Sequence, residues 1–201
     1  MNEREIRHFT GSIQVERRAE GSAPVIRGHA AVFNTLSEPL GGFREQIAPG
    51  AFDDVLADDV RALFNHDDSL ILGRTASGTL RVGVDAQGLT YEIDPPDTQY
   101  GRDLLVSLER GDITQSSFGF RVAVNGDSWT ENADGVLIRT ITKVARLYDV
   151  SPVTFPAYPA TDSAMRTLNE YLKGRDERAA SVRRTAELRA LELRSLGISA
   201  R

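Results

Sequence analysis

Three side chains spread across the middle of this chain could together perform nucleophilic hydrolysis. They are Ser117 in Gln115-Ser116-Ser117-Phe118-Gly119-Phe120, His66 in Phe64-Asn65-His66-Asp67-Asp68, and Asp149 in Leu147-Tyr148-Asp149-Val150-Ser151. A serine hydroxyl attacks only when a base takes its proton, and imidazole, with an ordinary pKa of about 6.5, suits that task near neutrality. A carboxylate would then fix the imidazole tautomer and stabilise the imidazolium. Asp149 is conspicuous because an acid inside an apolar strand is costly unless paired, while Asp67 and Asp68 lie too near His66 along the chain to reach the far side of its ring easily, although Asp68 could do so in a tight turn.

Each residue also has a plainer account. Ser117 could be a solvated strand serine, His66 a turn histidine bonded to Asp67 or Asp68, and Asp149 the partner of Arg146. Alternation along an extended segment separates the two serines. Gln115, Ser117, Gly119 and Arg121 fall on one side, expected to be polar; Ser116, Phe118, Phe120 and Val122 fall on the other, expected to be core. Of the other histidines, His8 lies in a polar N-terminal stretch and His29 in an apolar run that suits a core or barrel-lining role. His66-Asp67-Asp68 offers a metal one nitrogen and two oxygens, but a hydrolytic zinc site ordinarily adds a second histidine. No phosphate-binding glycine loop is present, and no metal or cofactor is expected.

The elements that must position these residues read mostly as strands and turns. Ser12–Glu16, Val25–Phe33 and Val60–Asn65 favour β-structure, the last leading into His66. Gly78–Val84 and Gly88–Ile93 flank Asp85-Ala86-Gln87, a hairpin signal, and Val136–Thr142 and Val144–Val150 follow a second turn at Asn132-Ala133-Asp134-Gly135. Two helices are expected, over Pro49–Leu56 and over Asp103–Arg110, the second capped by Gly111. Six to eight strands with few helices point to a closed or nearly closed β-barrel, because closure removes exposed edges.

At 201 residues with 40% hydrophobic content, the chain can bury one domain core, with room for an appendage. The absence of cysteine excludes disulfides, thiolate zinc sites and cysteine nucleophiles. No apolar run approaches the ~18 residues a membrane span needs, and the start Met1-Asn2-Glu3-Arg4-Glu5 lacks a signal pattern, so a cytoplasmic protein is expected. Residues 163–201 carry nine Lys/Arg against five acids, which leaves −9 on residues 1–162 within the net −5. An acidic body argues against nucleic acid as a partner. The chain thus divides into a flexible N-terminus (1–11), a β domain (12–162) and a basic helical tail (163–201). Pro156 and Pro159 argue against a central strand at the junction. From Arg178, an alanine-rich stripe runs through Ala179, Val182, Ala186, Ala190, Leu193 and Leu196, suited to a partner, a second copy or the barrel, and the same composition equally suits a loosely attached or disordered tail.

Several segments, taken in order, resemble the prohead or maturation proteases of tailed bacteriophages. They are Gly28–Asn34, Gly42–Phe52, Ala62–Asp67, Leu72–Thr75, Ser117–Phe120 and Asp149–Pro159, spread over about residues 25 to 165. The resemblance implies a serine endopeptidase with a fold like the herpesvirus assemblins, a closed β-barrel surrounded by helices. It places the family's histidine on His66 and its serine on Ser117. The acidic member falls on Asp149, where many relatives carry glutamate, and Ser116 fits the small residue usual before the nucleophile. It further implies action inside the assembling prohead in the host cytoplasm, with the major capsid protein, scaffold protein and the enzyme itself as substrates. The tail becomes a targeting or scaffold-binding element removable by autolysis, and a homo-oligomer is compatible. Two other readings use the same residues: a noncatalytic assembly module that keeps the barrel, and a hydrolase of esters or small amides.

Overall fold

The computed structural model describes residues 4–9, 13–17, 23–155 and 162–195. Among the described residues there are twelve strands and two α-helices, and the chain divides into one compact unit over Met1–Thr161 and a second over Asp162–Arg201.

The first unit is built from three sheets. Strands β1 (Glu5–Phe9), β5 (Arg61–Phe64), β6 (Asp67–Arg74), β9 (Gln115–Val122) and β12 (Val144–Val153) form a five-stranded sheet in the order β1-β9-β12-β5-β6. A four-stranded sheet runs β2-β3-β8-β7, from β2 (Gln14–Glu16), β3 (Val25–Val32), β7 (Leu80–Val84) and β8 (Gly88–Ile93). A three-stranded sheet contains β4 (Phe43–Ile47), β10 (Asp127–Glu131) and β11 (Leu137–Ile141), with β11 in the centre and parallel to β4. The core draws on all three sheets, with Phe52, Phe118 and Phe120 at its middle and Ile26, Leu89, Ile93, Ile141 and Leu147 fully buried around them.

The expected closed barrel is therefore corrected to three open sheets among the described residues. The ladder breaks between β6 and β7. There, a 3-10 turn at Thr75–Ser77 and Gly78, at φ 72°, swing the chain from one sheet into another. The exposed edges are managed without closure, since β2 is three residues long and β7 carries Arg81, paired to Glu92 and Asp94.

Two hairpins follow their turn chemistry. Between β7 and β8, the Asp85 side chain accepts from the Gln87 and Gly88 amides; between β10 and β11, Gly135 sits at φ 77°. The helix expected over Asp103–Arg110 is α1 (Gln99–Arg110), which starts a turn earlier because Thr98 caps Gly101 N, and ends at left-handed Gly111. The helix expected over Pro49–Leu56 is instead a 3-10 turn at Asp53–Val55. Gly50 stands at φ 83°, and the aspartate-rich stretch that follows has low helix propensity.

Residues Glu5–Phe9, read from sequence as part of a flexible N-terminus, pair antiparallel with β9 from Glu5↔Phe120 to Phe9↔Ser116. Their inward side chains are charged, and a buried ion cluster replaces the apolar face. Arg7 bonds Glu45 (Nε–Oε1, 2.6 Å) and Glu5 (Nη2–Oε2, 2.6 Å), and Arg139 bonds Glu5 (2.7 Å), Glu45 (2.9 Å) and Asp127 (2.6 Å). Glu5, Arg7, Glu45 and Arg139 are all buried.

In the second unit, α2 (Asp162–Ser195) begins sixteen residues before the Arg178 at which sequence periodicity starts it. Along it Val182, Leu188 and Leu191 are exposed. Pro156 and Pro159 lie outside the described residues, as do Leu196 and the side chain of Leu193.

Candidate active site

His66 owes its position to a tight turn. Phe64 pairs with Asp67 across β5 and β6, which leaves Asn65 and His66 as a two-residue loop, both left-handed at φ 55° and 58°. Two successive positive φ values make the hairpin turn whose twist matches the flanking strands. Asparagine tolerates this conformation well, whereas histidine bears a cost of about 1 kcal/mol. The loop is tied to the end of β12: Asn65 N donates to Pro152 O (3.0 Å), Asn65 Nδ2 to Thr154 Oγ1 (3.2 Å), and Thr154 N to Asn65 Oδ1 (2.8 Å). Asp67 turns away to Ser69, so the His66-Asp67-Asp68 run does not converge.

Strands β9 and β12 bring up the other groups. Their antiparallel register sets Ser151 opposite Ser117 and Asp149 opposite Gly119, with a bulge between Leu147 and Asp149. Residues two apart on one strand share a face. His66 lies over that face, its Nε2 2.5 Å from Ser117 Oγ and its Nδ1 2.5 Å from Asp149 Oδ2. The three residues singled out in the sequence thus meet in one hydrogen-bonded line.

Ser117 and Asp149 are buried, and the His66 side chain is 13% exposed. Burial raises the Asp149 carboxyl pKa, but the His66 hydrogen bond and charge, the Arg4 charge and the Ser151 hydroxyl outweigh it, and the carboxyl is held below its usual value. An ionised Asp149 accepts only, so His66 Nδ1–H donates to it and the Nε2 lone pair faces Ser117. Ser117 Oγ also lies 2.9 Å from the Arg7 carbonyl oxygen. The hydroxyl has one proton for two acceptors, and it must turn from Arg7 to His66 before it can be activated.

Ser116 faces the opposite way. Its Oγ and the Tyr91 hydroxyl are 2.7 Å apart in the core, and burial raises the Tyr91 phenol pKa despite that bond. The side of β9 expected to be polar is itself covered, for Ser117 has no exposed surface. Arg146, the alternative partner of Asp149, instead lies over the Tyr148 ring at 5.7 Å. His29, on β3 of the four-stranded sheet, bonds Asp85 Oδ2 (2.9 Å) and takes no part in this cluster.

Two contributors escape the sequence reading. Ser151 Oγ donates to Asp149 Oδ2 (2.8 Å), and its place two residues after Asp149 in an extended run was the available signal. Arg4 pairs with Asp149 Oδ1 from ahead of β1, across 145 residues of chain, and no local pattern marks it.

No curated protein matches this chain significantly. Among solved structures, the capsid assembly protease gp21 of bacteriophage T4 superposes with a TM-score of 0.50 at 13% identity, covering 76% of this chain and 98% of that one. At that identity the likeness is one of fold. Residues 12–174 match the caudovirus prohead serine protease description, a span that contains His66, Ser117 and Asp149 and takes in well over half of the sequence. On that match, the chain belongs to the caudovirus prohead serine protease family.

Proposed function

We propose that this serine protease cuts scaffold and capsid-protein segments, and itself, inside the assembling prohead, through an acyl-enzyme on Ser117. The observation that carries the reading is His66 bridging Ser117 Oγ and Asp149 Oδ2 at 2.5 Å on either side. His66 Nε2 takes the Ser117 proton as Oγ attacks the scissile carbonyl carbon. The tetrahedral intermediate collapses as the C–N bond breaks and His66 returns that proton to the leaving amine. Water, deprotonated by the same nitrogen, then attacks the ester and frees Ser117. Asp149 holds the productive tautomer and offsets the imidazolium charge throughout. The basic helix α2 serves as the element that brings the enzyme to an acidic scaffold surface.

Co-expression with the cognate capsid and scaffold proteins tests the assignment. Ser117→Ala and His66→Ala should each abolish processing, Asp149→Asn should slow it by roughly 10³–10⁴-fold, and Ser116→Ala should retain it. Processing lost in Ser116→Ala but kept in Ser117→Ala would overturn the nucleophile.

A further inference from the structure

We propose that Arg4 is a positioning residue of this protease, reaching from the N-terminal strand to fix the orientation and charge of the Asp149 carboxylate. The inference deepens the reading above and rests on it. It concerns a residue that lies N-terminal to the family match at 12–174.

The two oxygens of Asp149 are divided between two sets of partners. Oδ2 receives His66 Nδ1 at 2.5 Å and Ser151 Oγ at 2.8 Å, and Oδ1 receives Arg4 Nη2. A carboxylate held at both oxygens cannot swing about its last bond, so Oδ2 stays in line with the imidazole. The backbone has been cleared for this pair. A Cβ at Gly119 would collide with Asp149 Oδ1 and come within 2.7 Å of Arg4 Nε. The Tyr148 ring forms a floor, with the Arg4 guanidinium carbon 5.7 Å from its centroid.

Arg4 is delivered by an element that is firmly seated. Five consecutive residues of β1 pair with β9, and lifting β1 out would strand Glu45 and Arg139 in the interior without Arg7 and Glu5. Breaking a buried pair leaves an uncompensated charge, a far larger penalty than losing a surface bridge. The strand that Arg4 immediately precedes is therefore held by the buried ion cluster as well as by its ladder with β9, which carries Ser117.

The consequence is electrostatic. An ionised Asp149 favours the imidazolium form of His66, and that form cannot accept the Ser117 proton. Arg4 offsets part of the Asp149 charge that acts on the ring. The charged and titratable groups facing Asp149 are His66 from the β5–β6 turn and Arg4 from ahead of β1. Gly119 of β9 contributes none. Around the adjoining hollow, Asp59 is paired to Arg61 and Arg74, Asp68 comes from β6, and Arg146 and Tyr148 from β12.

The test compares full-length wild type, Arg4→Gln and Arg4→Lys by two measurements: the rate of labelling by a fluorophosphonate probe across pH, and the NMR resonance of the His66 Nδ1 proton that faces Asp149. Arg4→Gln should move the acid limb of labelling to higher pH, lower its plateau rate about tenfold and shift the Nδ1 proton resonance; Arg4→Lys should restore all three. A folded Arg4→Gln protein with the wild-type resonance overturns the proposal, whether or not the probe reaches Ser117. Labelling that survives in Ser117→Ala would instead overturn the nucleophile assignment, a distinct failure.

Discussion

At position 119 the absence of a side chain is what allows the site to assemble. Asp149 stands directly opposite Gly119 in the β9–β12 register, and the space a methyl would fill is occupied by Asp149 Oδ1 and Arg4 Nε. The arginine is half-exposed and can retreat, but the carboxylate is packed among buried groups and has nowhere to go. Gly119→Ala should therefore displace Asp149 from His66. Measured as cleavage of co-expressed capsid substrate, activity should fall by roughly 10²-fold while the far-UV spectrum stays native; undiminished cleavage would show that Asp149 placement is uncritical. Serine alternation was legible for the same steric reason, since the side chains of adjacent strand residues take opposite faces: Ser116 goes to Tyr91 and Ser117 to His66. What alternation could not convey is that the face carrying Ser117 is covered too. That cover includes His66, supplied by a loop distant in sequence.

Elements were legible where an apolar rhythm writes them. Strands β8 and β9 bury apolar side chains at period two, Leu89, Tyr91 and Ile93 in one and Phe118, Phe120 and Val122 in the other, and the sequence shows it. Strands β1 and β4 carry buried charges on that face, Glu5 and Arg7 in one and Glu45 in the other, so their periodicity is invisible to hydropathy. The ion cluster itself connects β1 to β4, β10 and β11, and hence the three-stranded sheet to the catalytic one. Arg139→Met should expose its importance. It removes a buried cation shared by Glu5, Glu45 and Asp127, and a loss of about 3–5 kcal/mol is expected in urea unfolding at pH 7. The sign of its pH dependence follows from Glu5. Burial raises that carboxyl pKa, but the Arg7 and Arg139 charges and hydrogen bonds outweigh it, leaving the folded value lowered. Its contribution is thus present above the ordinary glutamate range, about 4.3, and is lost as pH falls through the lowered folded value. The gap between wild type and Arg139→Met should narrow in acid; a gap that is constant with pH would mean that packing, not charge, carries the loss.

The whole molecule divides its charge as it divides its architecture. Residues 1–162 carry −9 and residues 163–201 carry +4, and the compact units separate at Thr161 and Asp162. Among the described residues, the core cluster that runs from Ile26 to Val150 lies in the first unit, and α2 buries Leu168. A 34-residue helix with Val182, Leu188 and Leu191 exposed gains little stability from its own packing. The targeting role proposed for it would use its basic residues toward an acidic partner and the exposed apolar positions for close contact. Deleting residues 165–201 should leave the β unit's thermal midpoint within about 3 °C of the full chain, because the core cluster of Ile26 to Val150 is retained. The truncated enzyme should still label at Ser117 yet fail to enter assembling proheads, as read by its absence from purified particles. Normal incorporation of the truncated chain would place the targeting signal in the β unit, and a collapse of the midpoint would make the helix part of the fold.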